Sequence, residues 1–188
     1  MAQKTKEMAL ISLLAAVITV AGLLRLPGVI PGTEFQLSAP VAVAIGAVFG
    51  FRRYLISGVL SSFVSLALGF QNILNVAVAM TFRVAAGGVM LLLGNTFLVA
   101  VLAGPVGTFC ARLVLALFTG TNVWVLLLAA LPGMAYTAVA VLPLIRLTGY
   151  LAKAGGFSEF VIPKRSVLRQ IFLKNRGKGE GASWRNTA

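Results

Sequence analysis

Two arginines, Arg83 and Arg112, stand inside long apolar stretches of the sequence. No Asp or Glu occurs between Glu34 and Glu159, and the chain has no histidine. A guanidinium presents a planar fork of donors that suits a carboxylate or a phosphate, and an ionisable group at membrane depth has a functional role by default. The sequence therefore predicts that both arginines bind an anionic solute. In the alternative, structural interpretation, they bond to helix carbonyls or to Glu34 folding inward.

The missing residue types exclude several classes of chemistry. General acid-base catalysis, metal ligation and a Ser-His-Asp triad all need carboxylates or imidazoles. We therefore expect no enzyme, no bound metal and no cofactor. A proton-driven or sodium-driven pump usually relays its ion through the same groups. If this protein moves a solute uphill, another subunit is expected to supply the energy.

The composition is that of an integral membrane protein. Of the 188 residues, 59% are hydrophobic and 11% are charged, whereas soluble domains carry about a quarter charged residues. The formal charge of +12 comes from 16 Lys and Arg against 4 Asp and Glu. Most basic residues flank apolar runs or follow Lys153, as they do on the cytoplasmic side of membrane proteins. No nucleic-acid partner is expected.

Six apolar runs predict an all-α fold, a compact bundle of six transmembrane helices. The runs are Met8 to Leu24, Ser38 to Phe51, Tyr54 to Phe70, Ile73 to Leu93, Phe97 to Phe118 and Val123 to Ile145. Arg52 and Arg53 are expected to separate the second run from the third. The segment from Leu26 to Pro40, with three prolines and two glycines, predicts an ordered loop or a re-entrant segment.

The distribution of basic residues predicts the orientation. Lys4, Lys6, the Arg52 pair and Arg146 fall on one side of a six-span bundle, which places both termini in the cytoplasm of a multi-pass protein of the cell membrane. Residues 1–150 are predicted to form the transmembrane, substrate-binding domain and residues 151–188 a basic cytoplasmic tail. Within that tail, Pro163 to Arg176 predicts an amphipathic helix on the inner membrane surface.

Further polar residues cluster at the outer ends of the predicted helices. Asn72, Asn75, Trp124 and Glu34 are expected to complete the solute site, where the asparagines and the tryptophan add hydrogen bonds and stacking. Interfacial anchoring and helix capping are the alternative roles for the asparagines and the tryptophan. In the third run, serines repeat every four residues beside Gly58, a pattern that favours close helix packing.

The first run carries Ala9, Ser12 and Ala16 on one face, where small residues let another helix approach closely. Together these features resemble the substrate-binding S component of energy-coupling-factor transporters over roughly Lys4 to Tyr150. The segments that carry the likeness are the basic start before the small-residue helix, Leu26-Pro27-Gly28 to Pro31-Gly32, and the Ala-rich run ending at Phe49-Gly50-Phe51-Arg52-Arg53.

The resemblance implies a prokaryotic six-helix subunit that binds a vitamin-like solute from outside the cell. Its partners would be membrane lipids, a transmembrane coupling subunit and two ATPase subunits, with Ala9, Ser12 and Ala16 docking on the coupling subunit. The chain departs from the family by Ser12, where alanine is common, and by its long basic tail. Pantothenate, a folate, a flavin precursor and other vitamins all remain possible solutes.

Two other functions are compatible with the sequence. One is a non-transporting multispanning scaffold of envelope or cell-shape assembly, which would tolerate loss of Arg83 and Arg112. The other is a small lipid-modifying enzyme, whose catalytic groups would have to come from Glu34, arginines and hydroxyls alone. A bound solute distinguishes the solute-binding subunit from the scaffold, and measurable turnover distinguishes the enzyme from both.

Overall fold

The structure is a computed structural model that describes residues 2–27 and 34–162, without the side chains of residues 2, 25–27 and 34–36. The predicted amphipathic helix from Pro163 to Arg176 lies outside the described residues. The elements are α1 (Ala2–Leu23), β1 (Arg25–Pro27), β2 (Glu34–Gln36), α2 (Ser38–Phe49), α3 (Phe51–Ala67), α4 (Ile73–Leu93), α5 (Phe97–Thr119), α6 (Val123–Ala154) and the short 3-10 helix η1 (Ser158–Phe160).

Polar caps and glycines set most helix ends. The Asn72 side chain accepts a hydrogen bond from the Asn75 backbone N–H at the start of α4, and Gly94, with φ of 92°, ends that helix. The bounds of α4 are those that the sequence predicts. The prediction that Arg52 and Arg53 separate α2 from α3 is wrong, because both arginines lie in the first turn of α3. The break is at Gly50, whose φ of 86° a glycine adopts without strain.

Two short strands in the Pro- and Gly-rich segment pair as a β-hairpin. Strands β1 and β2 pair antiparallel, with Arg25 opposite Gln36 and Pro27 opposite Glu34. The sequence predicted a loop or a re-entrant segment here and missed this pairing. The hairpin joins the end of α1 to the start of α2, so it lies at the end of the bundle opposite the N-terminus.

Helix α2 is the central helix of the bundle and packs against each of the other five helices. Its 12 residues rise only about 18 Å, and Val43, Ala44 and Ile45 are almost completely buried. A helix surrounded by protein does not need to match the membrane thickness. This position explains why the second apolar run is short.

The outer surface suits a lipid environment. Helices α1, α4, α5 and α6 are long and apolar enough to cross a membrane. Large apolar side chains on the outside of the bundle are highly exposed, including Leu117 at 84% and Leu98 at 78%. Such a surface is unfavourable in water and favourable among acyl chains. The described chain is therefore a multi-pass helical membrane protein.

Charged contacts fasten the end of the bundle that holds the N-terminus. The Nε atom of Arg53 donates to Glu7 Oε1 at 2.9 Å, and its Nη1 atom donates to the Phe160 carbonyl oxygen at 3.2 Å. The same guanidinium stacks on the Phe160 ring, 4.9 Å from its centroid. Lys6 pairs with Glu159 at 3.6 Å. These contacts connect α1, α3 and the segment that follows α6.

Helix α6 continues beyond the predicted limit at Ile145 and ends at Ala154. The chain then turns back against the bundle, where Phe160 is buried and the Ile162 backbone N–H donates to the Val48 carbonyl oxygen at 2.9 Å. Residues 151–162, which the sequence assigned to the tail, therefore pack with the helices.

A pair of adjacent glycines tests this packing. A Cβ atom at Gly87 would lie 2.6 Å from the Phe51 ring and 3.0 Å from Tyr54, whereas at Gly88 it would meet no described atom within 4 Å. We expect Gly87→Ala to lower the free energy of unfolding by about 1–3 kcal/mol through overpacking. Gly88→Ala should be neutral or stabilising by up to about 1 kcal/mol through helix propensity. Thermal unfolding of both variants in detergent measures the difference, and equal melting temperatures would contradict the packing.

Candidate solute-binding cavity

A cavity of about 740 Å³ opens at the end of the bundle that carries the hairpin. All six helices contribute to its lining, with Thr19, Ala42, Ser61, Arg83, Arg112 and Tyr136 as one example from each. Ser38 and Ala39, in the first turn of the short central helix α2, also line it. Because α2 begins late, it fills the bundle axis only at the far end and leaves this end hollow. The volume is in the range of small-molecule sites.

Arg83 is the most buried charged residue of the cavity, with 6% of its surface exposed. Its Nη1 atom donates to Ser62 Oγ and, at 3.4 Å, to Met80 Sδ. Gly58 provides the space for the side chain, because a Cβ atom there would lie 2.5 Å from Arg83 Cδ and 2.7 Å from Nε. A hydroxyl and a thioether are neutral acceptors, so the guanidinium charge has no carboxylate partner among the described residues.

Arg112 faces the same cavity from α5, and it forms no hydrogen bond or ion pair with another described side chain. The depth of the two arginines follows from the contact of α5 with α4, where a Cβ atom at Gly107 would lie 2.9 Å from Phe82 and 3.0 Å from Ala86. Arg112 is about one helical turn, or roughly 5 Å, closer to the cavity mouth than Arg83.

The three threonine hydroxyls of the lining already have acceptors within the protein. Thr19 Oγ1 donates to the Ala15 carbonyl oxygen or to Ser61 Oγ, each at 2.9 Å. Thr108 donates to the Gly104 carbonyl and Thr137 to the Gly133 carbonyl. The strongest donors that remain for a solute are the two guanidiniums. The N-terminus of α2 adds a partial positive charge at the same place, which favours an anion further.

The structure brings together three of the predicted site residues, Arg83, Arg112 and Asn75, on one cavity. Asn72 and Trp124 lie outside its lining. Asn72 caps α4, and Trp124 is 73% exposed in the first turn of α6. The side chain of Glu34 lies outside the described residues.

The predicted docking residues are on the outside of the bundle. Ala9, Ser12 and Ala16 are all exposed on α1, whereas Leu10, Leu14 and Ile18 of the same helix are buried in the core. The small residues therefore form one outward face. On the inward side of the same helix, Ile18 and Thr19 line the cavity.

Sequence reasoning missed how Gly58 and Ser62 serve the cavity. The small residues of α3 were predicted to promote close helix packing, but at these two positions they accommodate and bind the Arg83 side chain. A signal was present, since a glycine and a serine four residues apart leave room on one helix face for a long side chain. The sequence did not show which residue of another helix fills that room.

Among the described residues, no three His, Cys, Asp or Glu side chains come together in a way that would hold a metal ion. The chemistry that the cavity offers is the binding of negative charge by two guanidiniums.

Comparison with known proteins gives one strong relationship. The chain is 49% identical over 143 residues to Protein BioX of Lysinibacillus sphaericus, an alignment that covers 76% of this chain and 86% of the relative. The chain belongs to the BioX family. No protein-family model and no solved structure matches the chain.

The Ser62 contact gives a test of how Arg83 is held. We expect Ser62→Ala to lower the free energy of unfolding by about 1.5–3 kcal/mol, because it removes a hydrogen bond to a charged group. The exposed Thr119→Val serves as a control and should change stability by less than about 0.5 kcal/mol. In an Arg83→Leu background the Ser62→Ala cost should disappear, as measured by thermal unfolding in a double-mutant cycle. A cost that persists there would mean that Ser62 stabilises the bundle in some other way.

Proposed function

We propose that this protein is the membrane-embedded binding subunit of an uptake system for a small, anionic, biotin-related solute. The observation that carries the proposal is the single cavity lined by Arg83 and Arg112, which no described carboxylate neutralises. A cation held at membrane depth is costly unless it is paired or hydrated. An anionic solute that enters the cavity supplies the missing pair.

The nature of the solute rests on two lines of support. The name of the relative, Protein BioX, suggests a biotin-related role, which we extend to this chain. The cavity offers the matching chemistry, because its guanidiniums suit a carboxylate while Val78, Phe82 and Leu115 provide apolar lining. Biotin combines a carboxylate with an apolar chain.

The proposed orientation places the cavity mouth outside the cell, with all six helices embedded in the membrane and both termini in the cytoplasm. The described basic side chains outside the cavity, at Lys4, Lys6, Arg52, Arg53, Arg146 and Lys153, belong to the opposite end of the bundle. An excess of Lys and Arg marks the cytoplasmic side of membrane proteins. A solute then reaches the cavity from outside, as uptake requires.

Energy for transport comes, in this proposal, from a separate module of a transmembrane coupling subunit and two ATPases, as in energy-coupling-factor transporters. The support is chemical, because the described parts of the six helices carry one carboxylate, Glu7 near the start of α1, and no histidine, so they hold no series of such groups to relay an ion across the membrane. The exposed face of Ala9, Ser12 and Ala16 gives the coupling subunit a smooth surface on which to pack. The non-transporting scaffold remains the alternative, and solute binding separates the two.

Solute binding is tested with purified protein. Any small molecule that copurifies is identified by mass spectrometry, and biotin affinity is measured by isothermal titration calorimetry. We expect Arg83→Leu and Arg112→Leu each to weaken anion binding by at least about tenfold, since each removes a charged donor worth about 1.5–3 kcal/mol. Arg52→Leu, which replaces an exposed arginine at the other end of the bundle, should leave the affinity unchanged. Unchanged affinity in both cavity variants, or no anionic ligand for the wild type, would favour the scaffold.

Docking is tested separately from binding. We expect Ala9→Trp and Ala16→Trp to abolish solute uptake by cells and copurification of ATPase subunits, because a large side chain prevents close helix approach. Both variants should bind the solute normally after purification. Leu92→Trp, on an exposed apolar position of α4, is the matched control and should transport normally. Full uptake by both α1 variants would exclude this face as the docking surface.

A further inference from the structure

The cavity carries a net positive charge, and the size of this charge indicates how many anionic groups the solute has. Arg83 and Arg112 both line it, and no Asp or Glu is among its lining residues in the described part of the chain. Glu7 and Glu159 lie at the opposite end of the bundle, where they pair with Arg53 and Lys6. Two formal positive charges therefore face one hollow, in addition to the partial charge at the N-terminus of α2.

The two guanidiniums are placed to bind separate groups. They come from different helices, and their backbone positions differ in depth by about one helical turn. Arg83 is fixed near the cavity floor by Ser62 and by the space at Gly58. Arg112, nearer the mouth, has no partner among the described residues. A carboxylate that forms a bidentate pair with one guanidinium uses both of its oxygens there, so the second cation still lacks a counter-charge from the described side chains.

The lining around the arginines suits a carbon skeleton. Val78, Ala79 and Phe82 of α4 and Ala111 and Leu115 of α5 all contribute apolar surface. The threonine hydroxyls nearby donate to backbone carbonyls, and they carry no charge. A molecule with an anionic group at each of two positions and methylene groups between them satisfies both guanidiniums and the apolar walls together.

From this charge balance we infer that the solute carries two carboxylate-like groups, one bound by Arg83 near the floor and the other by Arg112 nearer the mouth. The inference rests on the proposed function, because it describes the ligand of the same cavity. It adds to that proposal the number of anionic groups on the solute and the depth in the cavity at which each group binds. A monoacid fills only one of the two positions.

The experiment compares straight-chain dicarboxylates with monocarboxylates of the same carbon number, using isothermal titration calorimetry on the purified full chain. Biotin, with one carboxylate, and an alkyl phosphate, with both charges on one group, complete the set. We expect the best dicarboxylate to bind at least about tenfold more tightly than its matched monoacid, biotin or the alkyl phosphate. In Arg112→Gln the dicarboxylate should lose this advantage and bind no more tightly than its matched monoacid. Arg52→Gln should retain the full preference.

The outcomes separate the inference from the proposed function. If monoacids or biotin bind as tightly as every dicarboxylate and remain sensitive to Arg83→Leu, the charge count is wrong and the binding function stands. Tighter binding of the alkyl phosphate would also overturn the inference, since it would place both guanidiniums on one group. If none of these anions binds to the folded wild type, both proposals fail. Arg112 forms no hydrogen bond or ion pair with a described side chain, so thermal unfolding should show that Arg112→Gln is folded.

Discussion

The constraint on which this structure depends is the burial of a guanidinium in an apolar bundle without a carboxylate to neutralise it. Arg83 is accommodated in part, because it donates a hydrogen bond to the Ser62 hydroxyl and its side chain occupies the space beside Gly58. Neutral acceptors satisfy hydrogen-bonding capacity, but they leave the charge in place. The guanidinium of Arg83 is therefore hydrogen-bonded, but no described carboxylate neutralises its charge.

The cavity is a consequence of helix length. Helix α2 is surrounded by the other five helices and is the shortest of the six, with 12 residues. The longer helices continue past its first turn and enclose space instead of a core. Ser38 and Ala39, in the first turn of α2, line the cavity. The free backbone N–H groups of this helix N-terminus therefore favour a negative charge in the cavity.

The helices and the two arginines of the cavity could be predicted from the sequence, but the contacts between helices that hold Arg83 in place could not. The limits of α4 were readable because Asn72 and Gly94 are strong local signals, and the shared cavity of Arg83 and Arg112 followed from helix direction. The break at Gly50 is harder to read from the sequence, because the adjacent Arg52 and Arg53 also predict a boundary between two helices. The contacts of Arg83 with Gly58 and Ser62 could not be predicted. They depend on which faces of α3 and α4 pack together, and a single sequence does not show this.

The Arg53 cluster gives the bundle an uneven stiffness. One guanidinium ties the start of α1, through Glu7, to the chain that returns after α6, through Phe160, and Lys6 with Glu159 reinforces the tie. The other end has no comparable ion pair among its described side chains, and the cavity opens there. Because these ion pairs are at one end only, we expect the helices to be held together more tightly at the charged end than at the cavity mouth.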